Sequence, residues 1–221
     1  MDDPILKALI QVTILIEFLP LVLLLIVKNK SLAPKNIHRA LVLMCLLSIF
    51  SDIICYIAAP IFKNNNPINH VYEMLSGAVI LHIYKLIFTN KKTKKIIQLL
   101  LYVFVTFSIF LFFYKDGFKY QPLSTTIKII LLILLSFYYF FTLFNKMEIK
   151  SLDFHYLIWI NAAFLIYASA TFYLFLFHYF HDKYSQSDFD FEMYYWPINL
   201  IAMIIFNLVL AKGIWKMKNL S

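Results

Sequence analysis

Seven stretches of this chain are apolar for long enough to cross a bilayer, and that pattern constrains everything else. A hydrocarbon core takes about 20 apolar residues per helix, with a working range of about 17–25. Residues 5–27, 40–62, 70–88, 96–113, 127–144, 155–180 and 196–210 match that demand. The last is short, and residues 211–215 can extend it. The composition agrees: 62% of the 221 residues are hydrophobic and 14% are charged, against about 25% charged in soluble domains. A soluble chain this apolar would expose patches that aggregate. The predicted fold class is therefore all-α. It is a polytopic membrane protein, a bundle of about seven transmembrane helices forming one domain over residues 1–221. The length leaves no room for a soluble domain beside the apolar segments.

The connections alternate in charge. The first carries Lys28, Lys30, Lys35 and Arg39, and the third Lys91, Lys92, Lys94 and Lys95. The fifth carries Lys146 and Lys150, offset by Glu148 and Asp153, and the tail Lys212, Lys216 and Lys218. The opposite side has Lys7, Lys63, Lys115, Lys119 and Lys183, but also Asp2, Asp3, Asp116, Asp182, Asp188, Asp190 and Glu192. The positive-inside rule puts the first set in the cytoplasm. The N-terminus is then outside and the C-terminus inside, in a multi-pass protein of the cell inner membrane. The net charge of +8 reads as topology signal and as contact with anionic membrane lipids. It does not indicate nucleic acid, because the lysines lie between apolar segments and not on one basic face. Tyr194, Tyr195 and Trp196 open the last segment and Trp215 closes it, as interfacial anchors do.

Several function classes fall away. Three glycines rule out glycine-rich phosphate loops. Cys45 and Cys55 lie in one helix about 15 Å apart, too far for a disulfide, and read as buried free thiols. Met1-Asp2-Asp3-Pro4 is acidic where a signal peptide is basic, so the first segment is expected to be retained. No HExxH, GxSxG or paired-His pattern is present, and an enzyme is the third-ranked reading. Retinal would need a lysine deep in the last helix, where none precedes Lys212. No cofactor is expected.

Ionisable groups inside an apolar helix are expensive and normally face the bundle interior. Glu17 lies mid-way along the first segment, with Thr13 and Pro20 on its face. It reads as a proton, cation or polar-ligand site, or equally as a neutral carboxyl bonded to a neighbouring helix. Asp52 sits on a stripe with Cys45, Ser48 and Tyr56, expected to line a helix contact or a wet cavity. Glu73 follows His70 by three residues, and Gly77, four further on, lets another helix approach closely. Lys85 is expected to snorkel to the cytoplasm, and His82 to be a packing residue. The sixth segment holds Trp159, Asn161, Tyr167, Ser169 and Thr171 among Ala162, Ala163, Ala168 and Ala170, small residues that mark close packing. The seventh holds Pro197, Asn199 and Asn207. Candidate ligand-binding residues are Glu17, Asp52, Glu73, Asn161, Tyr167, Asn199 and Asn207.

The fourth and fifth segments are mostly Leu, Ile and Phe. They are expected to face lipid, with Lys128 snorkelling outward, while the other five enclose the polar interior and the first and last are neighbours. His178, His181, Asp182, Asp188, Asp190 and Glu192 form an external acidic cluster. It could take a divalent cation, but its spacing matches no compact motif, and no metal is assigned.

Glu17-Phe18-Leu19-Pro20, His70-Val71-Tyr72-Glu73, Trp159-Ile160-Asn161, Leu165-Ile166-Tyr167-Ala168-Ser169 and the run from Trp196 to Asn207 resemble a family of short seven-helix membrane proteins of Bacteroidota-type bacteria. The likeness covers most of the chain, though that family prefers glycine at Ala162 or Ala163. It implies a signalling role with a protein partner such as a sensor kinase. The leading reading is thus a receptor-like or signal-relay protein with an unidentified small-molecule ligand in its polar interior. The alternative is a small proton-coupled carrier with Glu17 and Asp52 as the coupling groups.

Overall fold

The computed structural model describes residues 4–28, 33–62, 65–114, 122–145, 156–184 and 191–218, with side chains at 6–28, 33–58, 61, 65–114, 123–145, 156–176 and 197–218. Among these the chain is all-helical, in seven helices: α1 (Pro4–Val27), α2 (Lys35–Phe62), α3 (Asn66–Ile87), α4 (Lys91–Tyr114), α5 (Pro122–Asn145), α6 (Tyr156–Tyr184) and α7 (Phe191–Trp215). Each matches one apolar segment, and most run further. α2 starts at Lys35 and α4 at Lys91, several residues before their apolar windows open. The backbone ladder does not stop where side chains turn polar, and lysine can lay its methylenes along the helix while its ammonium stays wet.

Six of the helices are long and apolar enough to cross a membrane. α3 is not among them. Its 22 residues include Asn66, Asn69, His70, Glu73, Ser76 and Lys85. Large apolar side chains cover the outside of the others, with Leu15 72% and Phe113 79% exposed. A surface like that suits lipid and not water.

The helices gather into two compact units, Met1–Ala33 with Ile129–Ser221, and Pro34–Lys128. The first holds α1, α6, α7 and α5 from Ile129 onward. α7 packs on both α6 and α1, so the first and last helices are neighbours as expected. Its core includes Leu24, Val27, Ile160, Ala163, Phe164, Ala168 and Leu210. Gly213 lets α7 close onto α6, since a Cβ there would stand 3.1 Å from the Ile160 nitrogen and 3.1 Å from the Trp159 Cβ.

The second unit holds α2, α3, α4 and the first turns of α5. α3 packs against α2 and α4. The turn into α4 is short, and Asn90 Oδ1 accepts the Lys92 amide at 2.8 Å. Gly77 lies directly against the Phe104 ring, where a Cβ would collide. That is the close approach its position in α3 predicted.

One expectation is corrected here. α5 is not simply lipid-facing, and α4, the least enclosed of the six apolar spans, still has one packed side. α4 buries Thr93, Phe104 and Ser108, and α5 buries Lys128, Leu132 and a fully enclosed Ser136. Counting charges per segment hides this, because a helix of mostly Leu, Ile and Phe still has one side that packs.

Candidate functional site

α3 begins at Asn66 with Pro67 in its first turn, where the missing N–H costs nothing. From that start, Asn65, Asn69, Tyr72, Glu73 and Ser76 fall within about 100° of arc at 100° per residue. A helix with such a stripe must find polar partners, and α2 and α5 supply them. Asn65 Nδ2 donates to the Cys55 carbonyl at 3.1 Å, and the Cys55 thiol donates to Asn69 Oδ1 at 3.4 Å. One turn deeper the Ser48 and Tyr72 hydroxyls meet at 3.4 Å.

The stripe ends on an ion pair. Lys128 Nζ stands 2.5 Å from Glu73 Oε2, and the two side chains are 9% and 19% exposed. Lys128 also donates to Ser76 Oγ at 3.4 Å and lies 5.8 Å from the centre of the Tyr72 ring. Ser76 in turn donates to the Glu73 carbonyl at 3.2 Å. From Asn65 to Ser76 this seam runs about 16 Å along α3 at 1.5 Å per residue.

Lys128 does not snorkel outward, which corrects the reading of it as a solvated residue. Glu73 comes seven residues after the start of α3 and Lys128 six after the start of α5. The two charges are therefore at matched depth, about 10 Å from their helix starts. That match is the sequence signal that could have revealed the pair. Pairing is also the cheaper outcome, since an isolated charge among apolar side chains is far costlier than a bonded one.

Lys85 behaves in a similar way. It was expected to snorkel, and it donates to Gln98 Oε1 on α4. His82 is exposed, not packed.

Asp52 is exposed as well, and Tyr56 is 82% exposed, so this end of the expected stripe is not enclosed. α2 meets α3 along the line of Ser48 and Cys55. Asp52 is offset by about 40° and Tyr56 by about 80° from Ser48 on that helix. Cys45 is buried and Cys55 half-buried, both as free thiols.

In the other unit Glu17, Asn161 and Asn207 are buried and Tyr167 and Asn199 half-buried, and they are held differently. Glu17 and Thr13 are 4% and 3% exposed, and Thr13 donates to the Leu9 carbonyl at 2.8 Å. Asn161 is fully buried and donates to the Ser136 carbonyl of α5 at 3.2 Å. Asn207 donates to the Met203 carbonyl at 3.0 Å. The Asn199 amide makes only a 4.0 Å contact with the Met203 sulfur, and its oxygen is buried with no hydrogen-bond partner among the described residues. Tyr167 packs on Phe206 with ring centres 5.5 Å apart. At the far end of α7, Lys212 Nζ sits 3.5 Å over the Trp159 ring.

Among the described residues no group of His, Cys, Asp and Glu could hold a metal ion. The side chains of His178, His181, Asp182 and Glu192, and all of Asp188 and Asp190, lie outside the described residues. No protein-family model, curated protein or solved structure matches the chain.

Proposed function

We propose that this is a seven-span protein of the cell inner membrane and a receptor-like signal relay, with the Lys128–Glu73 pair at its working site. The pair is the observation that carries the reading. Ionisable residues within apolar helices mark functional sites by default, and here two of opposite sign meet at 2.5 Å. On this reading α3 is the seventh span, its carboxylate neutralised by α5. Both helices start on the outer face, the N-terminus is outside and the C-terminus cytoplasmic. A ligand that changes the pairing changes how the first turns of α5, up to Lys128, are held against α3. The exposed lysines that open α4, Lys91, Lys92 and Lys95, face the cytoplasm, where a partner of the sensor-kinase kind would dock.

The test is co-purification from native membranes. A cytoplasmic protein bound stoichiometrically to the wild type, with altered occupancy in Lys128→Met/Glu73→Leu, supports the relay. Solute flux in reconstituted vesicles with no such partner would replace it with the carrier. One observation favours that second reading: Glu17 is buried mid-helix between Thr13 and Pro20, a proline inside α1 that leaves the Ile16 carbonyl without its helical N–H partner.

A further inference from the structure

An ion pair in a low-dielectric site selects its ligand by charge balance. A simple anion taking Glu73's place on Lys128 leaves the Glu73 carboxylate unpaired. A simple cation taking Lys128's place strands the ammonium. Either outcome leaves an uncompensated buried charge, the arrangement that buried pairs tolerate least. A molecule carrying both charges re-pairs both partners and moves no net charge into the site.

We infer that the Lys128–Glu73 pair is a binding site for a zwitterion that carries an N–H ammonium and an oxyanion a few bonds apart. The inference rests on reading the pair as the functional site. The ligand's oxyanion takes Lys128 Nζ, and its ammonium takes the Glu73 carboxylate. Nζ carries three N–H groups, so it keeps Ser76 Oγ, 3.4 Å away, while exchanging its carboxylate partner. The Tyr72 face, 5.8 Å from Nζ, flanks the cation. Glu73 is the more open of the two at 19% exposure. The exposed Asn69 stands about one turn along α3 from Glu73, and the adjacent Tyr72 carries the hydroxyl that meets Ser48, hydrogen-bonding groups close to the pair for a polar ligand. Two sources share this chemistry, a phosphoethanolamine lipid headgroup and a free α-amino acid.

The experiment places the full chain in phosphatidylcholine nanodiscs and reads bound species by native mass spectrometry. The probes are phosphatidylethanolamine, phosphatidylglycerol and free L-alanine. The quaternary ammonium of the host lipid has no N–H to give Glu73, so it serves as background. Retention of phosphatidylethanolamine is expected if the source is lipid, and of L-alanine if it is free solute. In either case binding falls about tenfold or more, roughly the loss of one good polar contact, in Lys128→Met/Glu73→Leu. That variant removes both charges together, so it leaves neither stranded. The swap Lys128→Glu/Glu73→Lys rebuilds the pair and is expected to restore binding. Wild-type preference for phosphatidylglycerol, or binding of neither zwitterion, overturns the zwitterion and leaves the pair available to another ligand. Equal binding by wild type and the double variant overturns the zwitterion and the site together.

Discussion

The two units bury polar groups by different chemistry. In the unit around α3 the polar seam ends on two full charges, Lys128 and Glu73, 2.5 Å apart. In the unit around α7, three bonds run from an amide or hydroxyl to a backbone carbonyl: Asn161 to Ser136 between helices, and Asn207 to Met203 and Thr171 to Tyr167 within one helix. Backbone acceptors are always present and ask nothing of a partner's identity. A charge pair needs one particular residue on another helix. The Asn161 bond to α5 therefore reads as packing glue, while the charged seam depends on both its members. The unit around α7 also buries a carboxyl group, that of Glu17 on α1.

That contrast can be broken most forcefully at Lys128. Removing one member of a buried pair leaves the other charge uncompensated and costs about 3–5 kcal/mol, whereas replacing both with apolar residues is often neutral or stabilising. Lys128→Met alone is expected to melt far below wild type in a detergent thermal-unfolding assay, and Lys128→Met/Glu73→Leu to melt near it. Equal melting of all three would remove the pair from the architecture. Next in size is Gly77→Ala, which drives a methyl group into the Phe104 ring. Overpacking of this kind costs about 1–3 kcal/mol, and adding Phe104→Leu is expected to recover most of it in the same assay.

Asn161→Leu probes the glue. Interhelical hydrogen bonds in membranes average about 0.6 kcal/mol and reach about 1.7, so a melting shift well below that of Lys128→Met is expected. A larger loss would erase the distinction between the units. The smallest effect belongs to Asp52→Asn. Its side chain is exposed, and substitutions away from packed features stay within about 0.5 kcal/mol. Unfolding of this variant would mean that Asp52 is buried in the working assembly.

Where the helices lie was legible because twenty-residue apolar runs are a property of consecutive residues. Their ends were not, since Lys35 and Lys91 continue the backbone ladder without contributing hydropathy. Gly77 could be read as a close-packing point from its place in α3, though not its contact with Phe104. Among the site residues, Glu73 was read as a candidate and Lys128 was not. A lysine six residues into a helix is within reach of the interface, and only the neighbouring helix decides whether it turns out or in. Asp52 shows the converse. Its stripe was correctly helical, but the line of contact with α3 passes through Ser48 and Cys55, and 40° of rotation decides burial.

The order of the pair along the chain has a consequence for how the protein is made. Glu73 emerges from the ribosome before Lys128, and at about 5–20 residues per second the interval is several seconds. During that interval α3, the least apolar helix, has no counter-charge. It must lodge against α2, or against the first turns of α4, until α5 arrives. A chain stopped before residue 128 is then expected to hold α3 poorly, and its completion to act as the latch on a helix already made.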